Sequence, residues 1–237
     1  MVPNDLAVKL FADGADRDGI LHLSANPLIK GFTTNPTLMR KAGIEDYEWF
    51  ARDILQAVPD RPFSFEVFAD DHKEMERQAL KIAAWGDNVY VKIPVTNTRG
   101  EATGQLLRRL CGAGVKVNVT ALMTSRQVAE VARSLEDAPS AFVSVFAGRV
   151  ADSGLDPVPI MRESLDALRH LPRVELIWAS PRELLNIVQA HEIGCDVITL
   201  THDLLDKLAS LGKDLHEFSL ETVRMFHRDA GTAGYSL

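Results

Sequence analysis

Apolar residues along this chain follow two rhythms that take turns. Short apolar runs at positions 8–13, 31–35, 63–68, 89–93, 116–120, 141–146, 175–180 and 196–200 have the length and the β-branched and aromatic content of strands. Between them the spacing changes to three and four, as in Tyr47, Phe50, Ile54 and Val58, in Leu106, Leu107 and Leu110, in Val128, Val131 and Leu135, and in Leu204, Leu205 and Leu208. Helix starts are marked as well. Thr98 with Glu101, Thr124 with Gln127, and Ser180 with Glu183 fit capping boxes, while Pro36 and Pro181 stand where a first helical residue is expected. No Pro-, Gly- or Ser-rich linker interrupts the series. Residues 1–237 are therefore expected to form one domain, a (β/α)8 barrel of repeated βα units, with 215–237 as a C-terminal extension. An open doubly wound sheet is the alternative, but nothing resembling GxGxxG follows the first strand.

The phase of the polar residues adds a direction. Strand side chains alternate between two faces, and one face reads Lys9, Phe11, Asp13; Gly31, Thr33, Asn35; Ser64, Glu66; Tyr90, Lys92; Lys116, Asn118, Thr120; Phe142, Ser144, Phe146; and Leu176, Trp178, Ser180. The opposite faces are mostly Val, Leu, Ile, Ala and Phe, as packing against an outer helix layer requires. Polar groups thus gather inside the barrel, late in their strands, at the end where barrel active sites are built.

Within this set, Val89-Tyr90-Val91-Lys92-Ile93-Pro94 stands out as a short buried strand with a lysine in its middle. Desolvation disfavours an ammonium, which makes the neutral amine available as a nucleophile toward a ketone or aldehyde. The plainer reading of the stretch alone is an edge-strand lysine that snorkels to water or pairs with a carboxylate.

Composition narrows the chemistry. The chain has 237 residues, 46% of them hydrophobic and 25% charged, with a formal charge of -7. Its pI near 5.5 argues against a nucleic-acid or anionic-membrane partner and leaves small-molecule work. Cys111 and Cys195 lie far apart without CxxC spacing, which suits reduced core thiols. The first residues lack the basic and apolar regions of a signal peptide and no apolar run is long enough to span a bilayer, so a cytoplasmic location is expected. The histidines show neither HxH nor HExxH spacing, so no metal site is expected.

Five pieces carry a resemblance: Phe11-Ala12-Asp13-Gly14-Ala15-Asp16, Gly31-Phe32-Thr33-Thr34-Asn35-Pro36-Thr37, Val91-Lys92-Ile93-Pro94-Val95-Thr96, Asn118-Val119-Thr120-Ala121, and Ser144-Val145-Phe146-Ala147-Gly148-Arg149. In this order, over most of the barrel, they resemble the transaldolase family, specifically its short single-domain members. The resemblance implies a cofactor-free class I aldol transfer. In it a dihydroxyacetone unit moves from a ketose phosphate such as sedoheptulose 7-phosphate or fructose 6-phosphate to an aldose phosphate. It further implies Lys92 as the Schiff-base lysine, Asp13 as the acid/base, and Glu66 with Thr120 as the pair that positions a water. Thr33, Asn35, Asn118, Ser144 and Phe146 match the part of the site that holds the sugar, and Arg149, Ser180 and Arg182 the phosphate end. A helix N-terminus after the seventh strand is expected to add free N–H groups there. On the residues alone Glu66 also reads as an ion-pair partner for Lys92, and Asn35 as a helix N-cap before Pro36.

Some positions depart from the pattern. Val145 stands where proline is common in the family, Pro181 where an aromatic or small residue is usual, and residues 97–103 form a longer connection that is expected to reshape the acceptor side. Two rival readings remain. In fructose-6-phosphate aldolases, which release free dihydroxyacetone, the positions of Glu66 and Phe146 resemble glutamine and tyrosine. The other rival is a sugar-phosphate-binding barrel without turnover. Finally, Leu220, Val223 and Phe226, or Phe218 and Met225, give the C-terminal stretch an apolar helix face. That face is expected to cover the barrel floor, to meet another subunit, or to bring Tyr235 near a site. Short transaldolases often assemble by exchanging this helix, so a homo-oligomer is expected.

Overall fold

The computed structural model describes residues 2–235. Eight strands, β1 (Lys9–Asp13), β2 (Ile29–Thr33), β3 (Phe63–Glu66), β4 (Val89–Pro94), β5 (Val117–Leu122), β6 (Ala141–Val145), β7 (Val174–Trp178) and β8 (Val197–Thr201), pair in chain order and close into a barrel. All pairings are parallel, and β8 returns to β1 with Thr199 beside Phe11 and Thr201 beside Asp13. The connections are helical. α1 (Arg17–Ser24) follows β1, α2 (Pro36–Lys41) and α3 (Tyr47–Ala57) follow β2, α4 (His72–Ala83) follows β3 and α5 (Gly104–Gly112) follows β4. α6 (Ser125–Ala132) follows β5, α7 (Ala147–Asp152) and α8 (Pro157–Leu168) follow β6, α9 (Leu185–Glu192) follows β7, and α10 (His202–Asp206) follows β8. The fold is a TIM barrel, and α11 (Leu215–Ala233) is an additional C-terminal helix.

Two apolar layers hold it. Outside the sheet, Val91, Ile93, Val117, Val119 and Trp178 pack under the helices with no accessible surface. Burying such a side chain contributes about 1.5–3 kcal/mol. Inside the barrel, Phe11, Phe142, Ile177, Ala179 and Val197 form a plug with Tyr90 and Phe146 against it. The rings of Phe11 and Phe142 meet edge to face at 5.5 Å. Gly31 makes room for this plug, because a Cβ there would stand 2.6 Å from the Phe11 ring. The plug closes the barrel below the site, with Lys9 and Glu175 paired on its far side.

Several expectations from the pattern need correction. On β7 the inward face is Glu175, Ile177 and Ala179, since the register pairs Phe142 with Glu175 and Ser144 with Ile177. Leu176 and Trp178 therefore face the helices, and Ser180 leaves the alternation altogether at φ 61°. The capping box of Thr124 and Gln127 forms as expected, but the other two do not. Thr98 donates its N–H and its hydroxyl to Asp70 in a loop, and α5 begins only at Gly104. After β7, α9 begins at Leu185, so Pro181 is not a first helical residue, whereas Pro36 is. α11 does not cover the barrel floor: none of its residues is buried, and Tyr235 is 82% exposed. No helix among the described residues is long and apolar enough to cross a membrane.

Candidate active site

The carboxyl ends of the strands enclose a cavity of about 440 Å³ whose lining includes Asp13, Thr33, Asn35, Glu66, Lys92, Thr120, Ser144, Phe146, Arg149, Ser180 and Arg182. Eleven of the twelve site residues expected from sequence thus share one cavity. Asn118 lies beneath it. With no accessible surface, Asn118 donates to Ser64 Oγ at 2.9 Å and accepts from Ser144 Oγ at 2.7 Å, so it holds Ser144 in place. None of residues 97–103 lines the cavity; this connection folds back on Asp70 through Thr98 and Arg99.

Lys92 sits at the base of the cavity, buried. Its Nζ donates to the Thr34 carbonyl at 2.8 Å and lies 3.4 Å from Glu66 Oε2. β3 and β4 pair with Glu66 beside Lys92, which is why the two side chains meet. Thr120 Oγ1 is buried near them and makes no hydrogen bond among the described residues. A buried hydroxyl with no partner is uncommon in a native structure, and this one lines a cavity where a ligand group can satisfy it.

Asp13 ends β1 on the same wall. Thr33 Oγ1 donates to its Oδ1 at 2.7 Å, Thr199 Oγ1 lies 2.6 Å from Thr33 Oγ1, and Asn35 Nδ2 lies 3.5 Å from its Oδ2. Asn35 Oδ1 meanwhile accepts from Leu38 N–H and caps α2, as expected, while the same residue lines the cavity. Burial pushes the Asp13 carboxyl above its ordinary range, against the opposing pull of the Lys92 charge and the Thr33 hydroxyl. A carboxyl held this way keeps its proton more readily than a free one and is placed to exchange it with a bound hydroxyl.

The rim is cationic. Arg149 stacks on Phe146 with its guanidinium carbon 5.3 Å from the ring centre. Arg182 is held by Asp152, with its Nε 3.0 Å from Oδ1 and a second contact to Oδ2. The free N–H groups expected after β7 are not free: those of Arg182 and Glu183 both donate to Asn186 Oδ1. Arg149 and Arg182 are thus the groups at this rim able to meet an anion bidentately. Gly148 packs directly under Ser180, where a Cβ would stand 1.5 Å from the Ser180 carbonyl oxygen. Ala121 (φ 64°) and Ser180 (φ 61°) both line the cavity in the left-handed region, a conformation that costs a non-glycine residue about 1–3 kcal/mol.

A buried amine beside a carboxylate, a second carboxyl with raised affinity for protons, and a two-arginine rim form a coherent set for carbonyl chemistry on a phosphorylated compound. The sequence model of the family described as Transaldolase/Fructose-6-phosphate aldolase matches residues 10–237. The chain belongs to that family. Curated relatives agree. A "Probable transaldolase" of Methanococcus maripaludis is 33% identical over 202 residues, spanning 85% of this chain and 89% of its own. One of Thermoanaerobacter sp. is 31% identical over 231 residues, spanning 97% of this chain and 100% of its own. One of Sphingopyxis alaskensis is 36% identical over 193 residues, spanning 81% and 85%. Among solved structures, the dihydrodipicolinate synthase of Rhodopseudomonas palustris superposes with a TM-score of 0.60 at 16% identity, covering 97% of this chain and 81% of that one. That likeness shows the barrel fold alone.

For a transaldolase/fructose-6-phosphate aldolase family member, some residues of the site are not apparent from motifs. Thr199 and Thr201 line the cavity from β8, where Val197, Thr199 and Thr201 alternate with Ile198 and Leu200. Pro36, Thr37 and Leu38 line it from the start of α2. Beside the cavity, His202 packs against Gly14 and Gly19 with a buried Nε2 that has no partner among the described residues, and the Tyr47 hydroxyl is hydrogen-bonded to the Glu66 backbone; neither contact follows from a spacing rule.

Proposed function

We propose that this protein is a transaldolase, working through a Schiff base on Lys92. The observation that carries the reading is the buried amine of Lys92 within 3.4 Å of Glu66 at the base of a cavity rimmed by Arg149 and Arg182. The neutral amine adds to the ketone carbon of a ketose phosphate. Glu66 and Thr120 then assist proton transfer as the carbinolamine loses water to give the iminium. Asp13 removes the proton from the hydroxyl two carbons away. The bond from that hydroxyl's carbon to the carbon next to the iminium carbon breaks, its electron pair forms the enamine double bond while the C=N pair moves onto nitrogen, and the hydroxyl's carbon leaves as the aldehyde of a free aldose phosphate. An acceptor aldose phosphate then takes the place of the first. The enamine carbon attacks its aldehyde, Asp13 returns the proton to the resulting oxygen, and water releases the new ketose phosphate. Thr33, Asn35, Ser144 and Phe146 hold the sugar, with Asn118 supporting Ser144, and Arg149, Ser180 and Arg182 take the phosphate.

Sedoheptulose 7-phosphate or fructose 6-phosphate as donor places the reaction in the pentose phosphate pathway, in the cytoplasm, within a single-domain chain that needs no cofactor. Glu66 and Phe146 favour transfer over the release of free dihydroxyacetone, which is the second reading. The exposed apolar face of α11 supports a homo-oligomer joined through that helix. Incubation with fructose 6-phosphate and borohydride, followed by peptide mass mapping, is expected to label Lys92. A label elsewhere, or none with any ketose phosphate, overturns the mechanism. Dihydroxyacetone forming faster without acceptor than transfer product forms with it selects the aldolase.

A further inference from the structure

Tyr47 begins α3, in the outer helix layer, yet its hydroxyl reaches the backbone of the strand that carries Glu66. It accepts from the Glu66 N–H at 2.8 Å and donates to the Glu66 carbonyl at 3.2 Å. The ring is wedged among Phe65, Phe68 and Trp85, at centroid distances of 6.0, 4.6 and 5.5 Å, so the hydroxyl has no freedom to turn away. Burial pushes the Tyr47 phenol well above its ordinary range, so the hydroxyl stays protonated and able to donate.

The consequence lies in the ladder between β2 and β3. Phe32 N–H donates to the Pro62 carbonyl, and Thr34 N–H to the Ser64 carbonyl. In a parallel pair the next rung would run from the Glu66 N–H to the Thr34 carbonyl. Among the described residues that rung is not made. Tyr47 takes the N–H, and the vacated Thr34 carbonyl accepts the Lys92 amine at 2.8 Å.

We propose that Tyr47 is a positioning residue for Lys92: by occupying the Glu66 N–H it reserves the Thr34 carbonyl as the fixed acceptor of the lysine Nζ. The proposal rests on the reading of Lys92 as the Schiff-base lysine. A neutral amine that gives an N–H to a fixed carbonyl turns its lone pair toward the cavity, where the ketone carbon must sit. The iminium that follows keeps one N–H, and the same carbonyl accepts it. Loss of the hydroxyl lets the Glu66 N–H fall back onto Thr34, which withdraws that acceptor from the lysine.

The test compares Tyr47→Phe with the unaltered enzyme in single-turnover borohydride trapping with fructose 6-phosphate. Trapping is expected to slow by about tenfold, the worth of one buried hydrogen bond, and kcat to fall with it, while KM for the phosphorylated donor stays within about twofold. A purely structural role would instead lower the melting temperature and raise KM. If Tyr47→Phe is too unstable to assay, p-aminophenylalanine against p-fluorophenylalanine at position 47, matched in size, carries the same test: the amine-bearing ring restores trapping and the fluorinated ring does not. Equal trapping rates in either comparison, or a slowing matched by loss of donor affinity, overturn the proposal and leave Lys92 as the nucleophile. Absence of any Lys92 adduct in the unaltered enzyme overturns both.

Discussion

Glu66 Oε2 stands 3.4 Å from Lys92 Nζ, while the Thr34 carbonyl stands 2.8 Å away. The closer partner is the neutral one. A direct charge-assisted hydrogen bond would bring the carboxylate to about 2.7–2.9 Å, so Glu66 neighbours the amine without locking it. That geometry suits a proton carrier.

Replacing Glu66 by Gln is therefore expected to slow imine formation more than it weakens binding. A positioned acid–base group contributes about 10²–10⁴-fold, and Glu66→Gln should fall toward the lower end, because Asp13 and Thr120 remain. The remaining turnover should release a larger share of free dihydroxyacetone. Stopped-flow trapping with borohydride, alongside product ratios with and without acceptor, checks this. Unchanged trapping would remove Glu66 from the proton path.

Asp13 should make the barrel less stable and more active at once. Its carboxyl binds protons more tightly in the folded chain than in the unfolded one, chiefly through burial. The sign follows from linkage. Below the unfolded value of about 3.9 both states are protonated and nothing is lost; as pH rises through the folded value, the folded state gives up its proton at a cost, and stability falls. Asp13→Asn should thus melt higher than the unaltered protein at pH 7, with the gap closing toward pH 3.5, while transfer drops by about 10²–10⁴-fold. Melting curves across that pH range decide it, and coincident curves would count against the buried charge.

How much of this could be read from the sequence depended on whether a residue's role follows from alternation. Strand order, helix alternation and the inward phase of Asp13, Thr33, Glu66, Lys92, Thr120 and Ser144 all follow from period and polarity, and the structure has each of them in one cavity. β7 departs because Trp178 and Ser180 alternate with apolar neighbours along the chain, whereas the register with β6 decides the face and turns Glu175 and Ile177 inward. The Ser180–Glu183 cap failed for a related reason: a left-handed Ser180 turns the chain away before α9 begins. Tyr47 fits the helical spacing of α3, but its hydrogen bonds to a residue nineteen positions away depend on packing, which no local period encodes.

Gly148 is expected to tolerate no side chain. A Cβ there would meet the Ser180 carbonyl oxygen at 1.5 Å and its carbon at 2.6 Å, and both are backbone atoms that cannot swing aside. Gly148→Ala should cost about 1–3 kcal/mol, or roughly 2–4 °C in melting temperature for each kcal/mol in a chain of this size. The same shift moves Ser180 and Arg182 relative to Arg149. KM for a phosphorylated donor should therefore rise more than kcat falls, and a variant with unchanged KM would separate this turn from the phosphate end.

α11 runs for 19 residues from Leu215 to Ala233 with none buried. Leu215 is 79% exposed, Val223 60% and Phe226 62%, with Phe218, Leu220 and Met225 also open. A monomer that leaves this much contiguous apolar surface on one helix gains nothing from it, whereas burying such a face between copies is favourable at about 25 cal/mol per Å² before association costs. Leu220, Val223 and Phe226 should therefore lie in a subunit interface. Light scattering is expected to find an oligomer for the full chain, and smaller species both for a chain ending at Gly212 and for the full chain carrying Val223→Glu and Phe226→Glu. A full-length monomer, or an oligomer that both changes leave intact, would show that α11 does not join the subunits.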